Sequence, residues 1–211
     1  MAPLSQEWMD PVARDAAGEL TALAHFEGPP KEFWPNYIAA LAKLSGADLA
    51  ALYLRDASPA ESEAEDGPPA WKRIVERTSP GGQSRPGLSR EIQGVIDTVA
   101  AYATEHDGCV LSLDELAPKA KLEDAADYAV TAVAPTLEAG SQQCLVLVVV
   151  RGLSESSAAE LLLRLQLSRD IPGAYQRNLA ARRARDDVGK IATALDLSVI
   201  VNREDRFLAA A

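Results

Sequence analysis

The stretch Glu105-His-Asp-Gly-Cys109 places an imidazole and a thiol three residues apart. A thiolate is a useful nucleophile only beside a proton acceptor, so His106 and Cys109 read in one way as base and nucleophile. They also read in a plainer way. His106 closes a helix, where the macrodipole favours a cation, and Cys109 opens a buried strand. The plainer reading is adopted here. Cys144 lies inside an apolar run and reads as core. These two cysteines fall outside any CxxC or ligand spacing, which implies neither a disulfide framework nor a zinc site and fits a reducing compartment.

The remaining polar groups are weighed in the same way. Glu115, Glu123, Asp124 and Asp127 have no paired histidine and no fixed carboxylate spacing, so they read as solvated loop charge and not as a metal or acid-base cluster. Ser154, Ser156 and Ser157 open a helix and read as caps. Arg182, Arg183 and Arg185 precede Asp186 and Asp187 and read as an internally paired helix face, with a phosphate site as the alternative. No residue is assigned a catalytic or metal-binding role, and an enzyme is not expected. A formal charge of -10 repels phosphate backbones and anionic lipid alike, so no nucleic-acid partner is expected. MAPLSQEWMDP has neither a basic n-region nor an apolar h-region, and the longest apolar run, Cys144 to Val150, is far too short to cross a bilayer. A cytoplasmic location with no membrane in this piece is expected.

The elements that must position these groups follow from periodicity. Trp8, Val12, Leu20, Leu23 and Phe26 recur at loose helical spacing before Gly28-Pro29-Pro30. Phe33, Trp34, Tyr37, Ile38, Leu41 and Leu44 form one stripe of a helix with proline at its entry and Gly46 after its end. Ala47–Asp56 and Ala70–Thr78 read as a hairpin around the acidic, proline-rich loop SPAESEAEDGPP. After the link Ser79–Gly87, Leu88 to Tyr102 mark a helix with Ser89 as its N-cap. Cys109–Leu113 reads as a short strand, followed by a capping box from Ser112 to Glu115. Tyr128–Ala139 reads as a strand with an edge or bulge at Pro135, turning at Gly140 into Cys144–Gly152. One face of that apolar strand carries Leu145, Leu147 and Val149 and the other Val146, Val148 and Val150, so both must be covered. A long helix follows, with a kink or break at Pro172-Gly173, and Asn202 reads as the N-cap of a further helix. The segregated order predicts α+β with an antiparallel sheet of five to six strands. The 30–45 and C-terminal helices cover one face, and the 89–106 helix plus loops covers the other.

The succession PPKEFWPNYIAALAKLSGADLAALYLRD, AWKRIVERT, GCVLS, AVTAVAPTLEAG, CLVLVVVRG and SESSAAELLLRLQ resembles a GAF domain over about residues 30 to 180. The resemblance implies a central antiparallel sheet, a helical layer that forms a dimer bundle, and a small-molecule pocket on the opposite face. It places Tyr53, Tyr102, Tyr128 and Thr131 on that ligand side, with His106 beside them. It also implies a homodimer through helices 31–45 and 153–184, with Leu161, Leu165, Tyr175 and Leu179 on the dimer and signalling helix. The chain lacks the NKFDE motif of cyclic-nucleotide binders and the cysteine-histidine pair of bilin attachment, and cysteine-dependent enzymes of this family use several cysteines in a loop absent here. No cofactor is specified.

The tail DVGKIATALDLSVIVNREDRFLAAA resembles the junction into a second GAF domain in bacterial proteins that place such domains ahead of an HlyD-type membrane-fusion adaptor. Val199, Ile200, Val201, Phe207 and Leu208 would each lose about 1.5 to 3 kcal/mol in water, so they require a partner. The organisation expected is therefore an N-terminal extension (1–29), a GAF-like domain (30–180), and a linker helix with the start of a following domain (181–211) in a longer polypeptide. The function expected is a regulatory sensor that binds a small molecule, dimerises and signals through its C-terminal helix to downstream domains. The alternative is a non-sensing dimerisation scaffold.

Overall fold

The apolar run around Val146 and Leu147 is the centre of the molecule, and neither side chain is reached by solvent. A computed structural model describes residues 11–56, 70–78, 87–118, 124–137 and 142–208. Its elements in order are α1 (Pro11–Leu23), α2 (Pro30–Ser45), β1 (Leu49–Asp56), β2 (Lys72–Thr78), α3 (Leu88–Glu105), β3 (Cys109–Ser112), α4 (Leu113–Leu116), a 3-10 turn at Ala125–Asp127, β4 (Tyr128–Val133), β5 (Gln142–Arg151), α5 (Glu155–Ser168) and α6 (Ile171–Leu208). The chain divides into two compact units, Met1–Tyr175 and Gln176–Ala211, the second of which is helical through Leu208. Trp8, the acidic loop after Asp56, the link 79–86 and Glu123 lie outside the described residues, as do the side chains of residues 192 and 194–208.

The five strands run in the order β2-β1-β5-β4-β3, and every pairing is antiparallel. The fold class is thus α+β, as the segregation of strands and helices predicts. Register fixes the faces. Leu49, Ala51 and Tyr53 stand opposite Val149, Leu147 and Leu145, and Val149 and Leu147 in turn face Val130 and Ala132. This set forms one core with Leu88, Ile92, Ile96 and Val99 of α3. On the other face Ala50, Leu52, Val146 and Val148 are buried beneath α2 and α5. Each fully buried Leu, Ile or Val contributes about 1.5 to 3 kcal/mol, which is why the run reads as an unbroken apolar stretch and not as an alternation.

Local chemistry explains where the expected boundaries moved. β4 ends at Val133 and not at Ala139, because Pro135 cannot donate to a ladder and biases its predecessor away from continuing it. Of the kink or break expected around Pro172-Gly173 the structure has the break, placed just before them: α5 ends at Ser168 and α6 starts at Ile171. Proline sits at the second position of α6, where a missing N–H costs nothing, and Ala174 N donates to Asp170 O at 3.0 Å to start the new helix. Ser89 does not cap α3. Gly87 occupies that position with φ 114°, and the Ser89 hydroxyl joins Glu76 and Arg73 of β2. Ser112 precedes α4 but its hydroxyl bonds the Asp114 carboxylate, so the capping box does not form. Asn202 starts no helix, since α6 runs through it.

Two positive-φ residues in succession, Asp107 at 60° and Gly108 at 122°, turn the chain from α3 into β3. The C-terminal end of α5 holds this turn. Gln166 Nε2 donates to Asp107 O at 2.9 Å and the Arg169 guanidinium pairs with the Asp107 carboxylate. The φ of 122° at Gly108 is one that side-chain-bearing residues rarely adopt, and a Cβ there would also lie 2.8 Å from Leu162 Cδ1 and 3.2 Å from Ala132 O.

Candidate functional site

The edge strand β3 borders an open groove of about 700 Å³. Its floor is the strand itself, from Cys109 to Ser112. One wall is the end of α3, carrying Tyr102 and His106, and the opposite wall is α5, carrying Ala158, Ala159 and Leu162. Tyr102 and His106 stack with ring centroids 6.1 Å apart, and Tyr102 stays 44% exposed, so an aromatic surface faces the opening. Tyr128 is buried at the far end with the Arg151 guanidinium 5.9 Å from its ring centroid. Arg151 also holds Asp124 at 2.8 Å and Asp127 at 3.2 Å, which places two of the loop carboxylates in ion pairs at the groove rim. Small alanines opposite an aromatic wall leave room for a flat or chain-like molecule.

The groove thus gathers three of the five residues that the sequence placed on a ligand side: Tyr102, His106 and Tyr128. The other two lie elsewhere. Tyr53 is buried beside β2 on the α3 face, and Thr131 points to the opposite face, between its register partners Val110 and Val148. His106 and Cys109 share the groove but are not joined by a hydrogen bond. The thiol donates to Val99 O at 3.8 Å, and burial pushes it up to about 11, so it stays protonated at neutral pH. Burial raises the Cys144 thiol as well. Ser154 caps α5 as its sequence suggests, accepting from Ser157 N at 3.3 Å. Among the described residues no cluster of three His, Cys, Asp or Glu side chains could hold a metal ion, and no helix is long and apolar enough to cross a membrane.

Leu161, Leu165 and Tyr175, expected on a signalling helix, are buried in the first unit's own core. Tyr175 stacks on Phe33 at 3.9 Å and donates to Gly28 O at 3.0 Å, while the Tyr37 hydroxyl donates to Ser168 O at 3.2 Å. This aromatic clasp ties α2 to the α5–α6 corner. What α5 leaves for a partner is Leu163 and Leu167, 55% and 75% exposed. Leu179 is half-buried on α6.

Trp71 was not singled out from the sequence. It is only 7% exposed on the α3 face, the Arg55 guanidinium lies 4.6 Å from its ring centroid, and Arg55 in turn donates to Gln143 Oε1. The one available signal was its place at the head of the alternating segment Trp71, Arg73, Val75, Arg77, which puts it on the same face as Tyr53.

No family model matches the chain, and no curated protein matches it. Solved structures do. The GAF domain of A. aeolicus nlh2, in an inactive state, superposes with a TM-score of 0.52 at 8% identity, covering 78% of this chain and 95% of that one. The GAF domain of an Acinetobacter phosphoenolpyruvate-protein phosphotransferase gives 0.46 at 13% identity, covering 82% and 97%. The phycoerythrobilin-bound GAF domain of a cyanobacterial phytochrome gives 0.40 at 12% identity, covering 83% and 98%. The first of these likenesses shows a GAF-like fold.

Proposed function

We propose that this GAF-like fold serves as a regulatory sensor module, in which a small molecule seated in the β3 groove biases α5 and thereby the helix that continues from it. The observation that carries the reading is the make-up of the groove: its floor is β3, one wall is the end of α3, and the other is the helix leading into α6. A ligand shifts such an element only if it binds two arrangements of α5 with different affinity. The same helix presents Leu163 and Leu167 to solvent, which favours a homodimer through α2 and α5. Downstream domains of the same polypeptide would receive the shift, in keeping with the tail's resemblance to a junction between domains. The Cys109 thiol, protonated and bonded to Val99 O and not to His106, gives no support to cysteine chemistry.

The test is a variant that fills the groove. Ala159→Trp should abolish retention of any metabolite seen by native mass spectrometry of freshly purified protein. It should also change amide exchange in α5 while leaving the sheet protected. Unaltered metabolite retention and unaltered α5 exchange would sink the sensor reading. A dimer persisting through Leu167→Asp would remove the proposed dimer face.

A further inference from the structure

A second cavity, of about 480 Å³, opens at the opposite edge of the sheet from the groove, where α1 and α2 meet the end of β2. Its walls are mostly apolar: Val12 of α1, which is 54% exposed, and Ala39 and Ala42 of α2. Two cations reach it, Lys43 and Arg77. The Lys43 ammonium is already held by both carboxylate oxygens of Glu19, at 2.7 and 2.9 Å. The Arg77 guanidinium has no ion pair among the described residues. Arg77 pairs with Ala50 across the β1–β2 ladder, and Ala50 is wholly buried on the face beneath α2, so the arginine stem leaves the sheet on that side. The carbonyls that end α2 do not compete for it, because Gly46 N donates to Lys43 O at 3.4 Å and Ala47 N to Ala42 O at 3.1 Å.

We infer that this cavity binds an amphiphile with one anionic head, a medium-chain carboxylate whose hydrocarbon lies between α1 and α2 and whose head pairs with Arg77. The composition of the walls decides the body of the ligand. Alanine and valine side chains offer nothing for a polar body to bond, so burial of hydrocarbon is what the space rewards. Arg77 decides the head. A planar guanidinium presents paired N–H donors in the spacing of a carboxylate, and this one is unanswered by any acid of the described residues. The chain's net charge of -10 does not forbid an anion here, since exposed charges beyond about 8 Å are screened at physiological salt, and Glu19 is itself neutralised by Lys43. The site is independent of the groove, because β2 and β3 are the two opposite edges of the sheet.

The experiment uses the full chain with carbon-13 in its valine methyl groups. The Val12 signal is assigned by its loss in Val12→Ile, and octanoate is titrated below its micelle concentration, with octan-1-ol as the neutral counterpart. The expected result is a saturable shift of the Val12 signal by octanoate, with octan-1-ol binding about ten-fold more weakly. Arg77→Gln, an exposed substitution on an edge strand, should weaken octanoate about ten-fold and leave octan-1-ol unchanged. Lys43→Gln should weaken octanoate less than Arg77→Gln does, because Glu19 already answers that charge. A Val12 signal unmoved by octanoate overturns the inference. So does equal binding of octan-1-ol, or octanoate binding that Arg77→Gln leaves unchanged. Ala159→Trp, which fills the β3 groove, separates this site from the other: the Val12 shift should survive it, and its loss would place the octanoate in the groove and overturn the inference.

Discussion

The two faces of the sheet treat their tyrosines in opposite ways. Under the helical layer, the Tyr37 and Tyr175 hydroxyls both donate to backbone carbonyls, at 3.2 and 3.0 Å, and their rings stack around Phe33. Under α3, the Tyr53 hydroxyl is equally buried and has no hydrogen-bond partner among the described residues, as does the indole of Trp71. Thr131 Oγ1 is the exception on the helical face, a small hydroxyl without a bond. A satisfied buried polar group rigidifies a core, whereas an unsatisfied one costs the free energy of its lost water and persists where something else repays it. One face is therefore built to hold a corner of the chain in place, and the other retains unmet bonding capacity.

The largest test of that contrast is Phe33→Ala. Phe33 has no exposed surface and stacks on Tyr175 at 3.9 Å and on Tyr37 at 5.9 Å, so truncation removes the centre of the clasp. A loss of about 3 to 5 kcal/mol is expected in urea unfolding, with the α5–α6 corner losing amide protection first. A loss under about 1 kcal/mol would show that the clasp does not hold the helical layer together.

Next in size is Tyr37→Phe, which keeps the ring and deletes the bond to Ser168 O. About 1 kcal/mol of destabilisation is expected, since the carbonyl loses its long-range donor in a buried setting. An unchanged midpoint would mean that water reaches Ser168 and that the two faces differ less than their geometry implies.

Much of this architecture could be read from residue order. The seven apolar residues from Cys144 demanded cover on both sides, and periodicity placed the strands and the 30–45 and 89–106 helices because each buries a single face. What escaped were features set by contacts distant in sequence. Ser89 lost its expected cap role because Glu76 and Arg73, from a strand 13 to 16 residues earlier, take its hydroxyl. The groove's lining brings Gly108 beside Leu162 of α5, a contact between residues far apart in sequence that no local pattern records. Tyr102, His106 and Tyr128 came only from the family resemblance, together with Tyr53 and Thr131, which lie outside the groove. Trp71 was not legible, since a buried N–H without a partner is defined only once the fold around it is set.

The smallest effect is the most discriminating. Tyr53→Phe deletes a hydroxyl that holds no bond, so stability at neutral pH should stay the same or rise by up to about 1 kcal/mol, opposite in sign to Tyr37→Phe. The alkaline limb adds a second readout. Burial pushes the Tyr53 phenol up to about 12, opposed by the neighbouring Arg73 guanidinium. An unfolded tyrosine ionises near 10, so between about pH 10 and 12 the unfolded chain releases a proton that the folded chain keeps, and stability falls as pH rises. Tyr37, also raised by burial, contributes with the same sign. Tyr53→Phe should therefore flatten the decline across that window while leaving the curve below pH 10 level. If it instead destabilises at pH 7 as much as Tyr37→Phe does, the Tyr53 hydroxyl has a partner in solution and the contrast between the faces collapses.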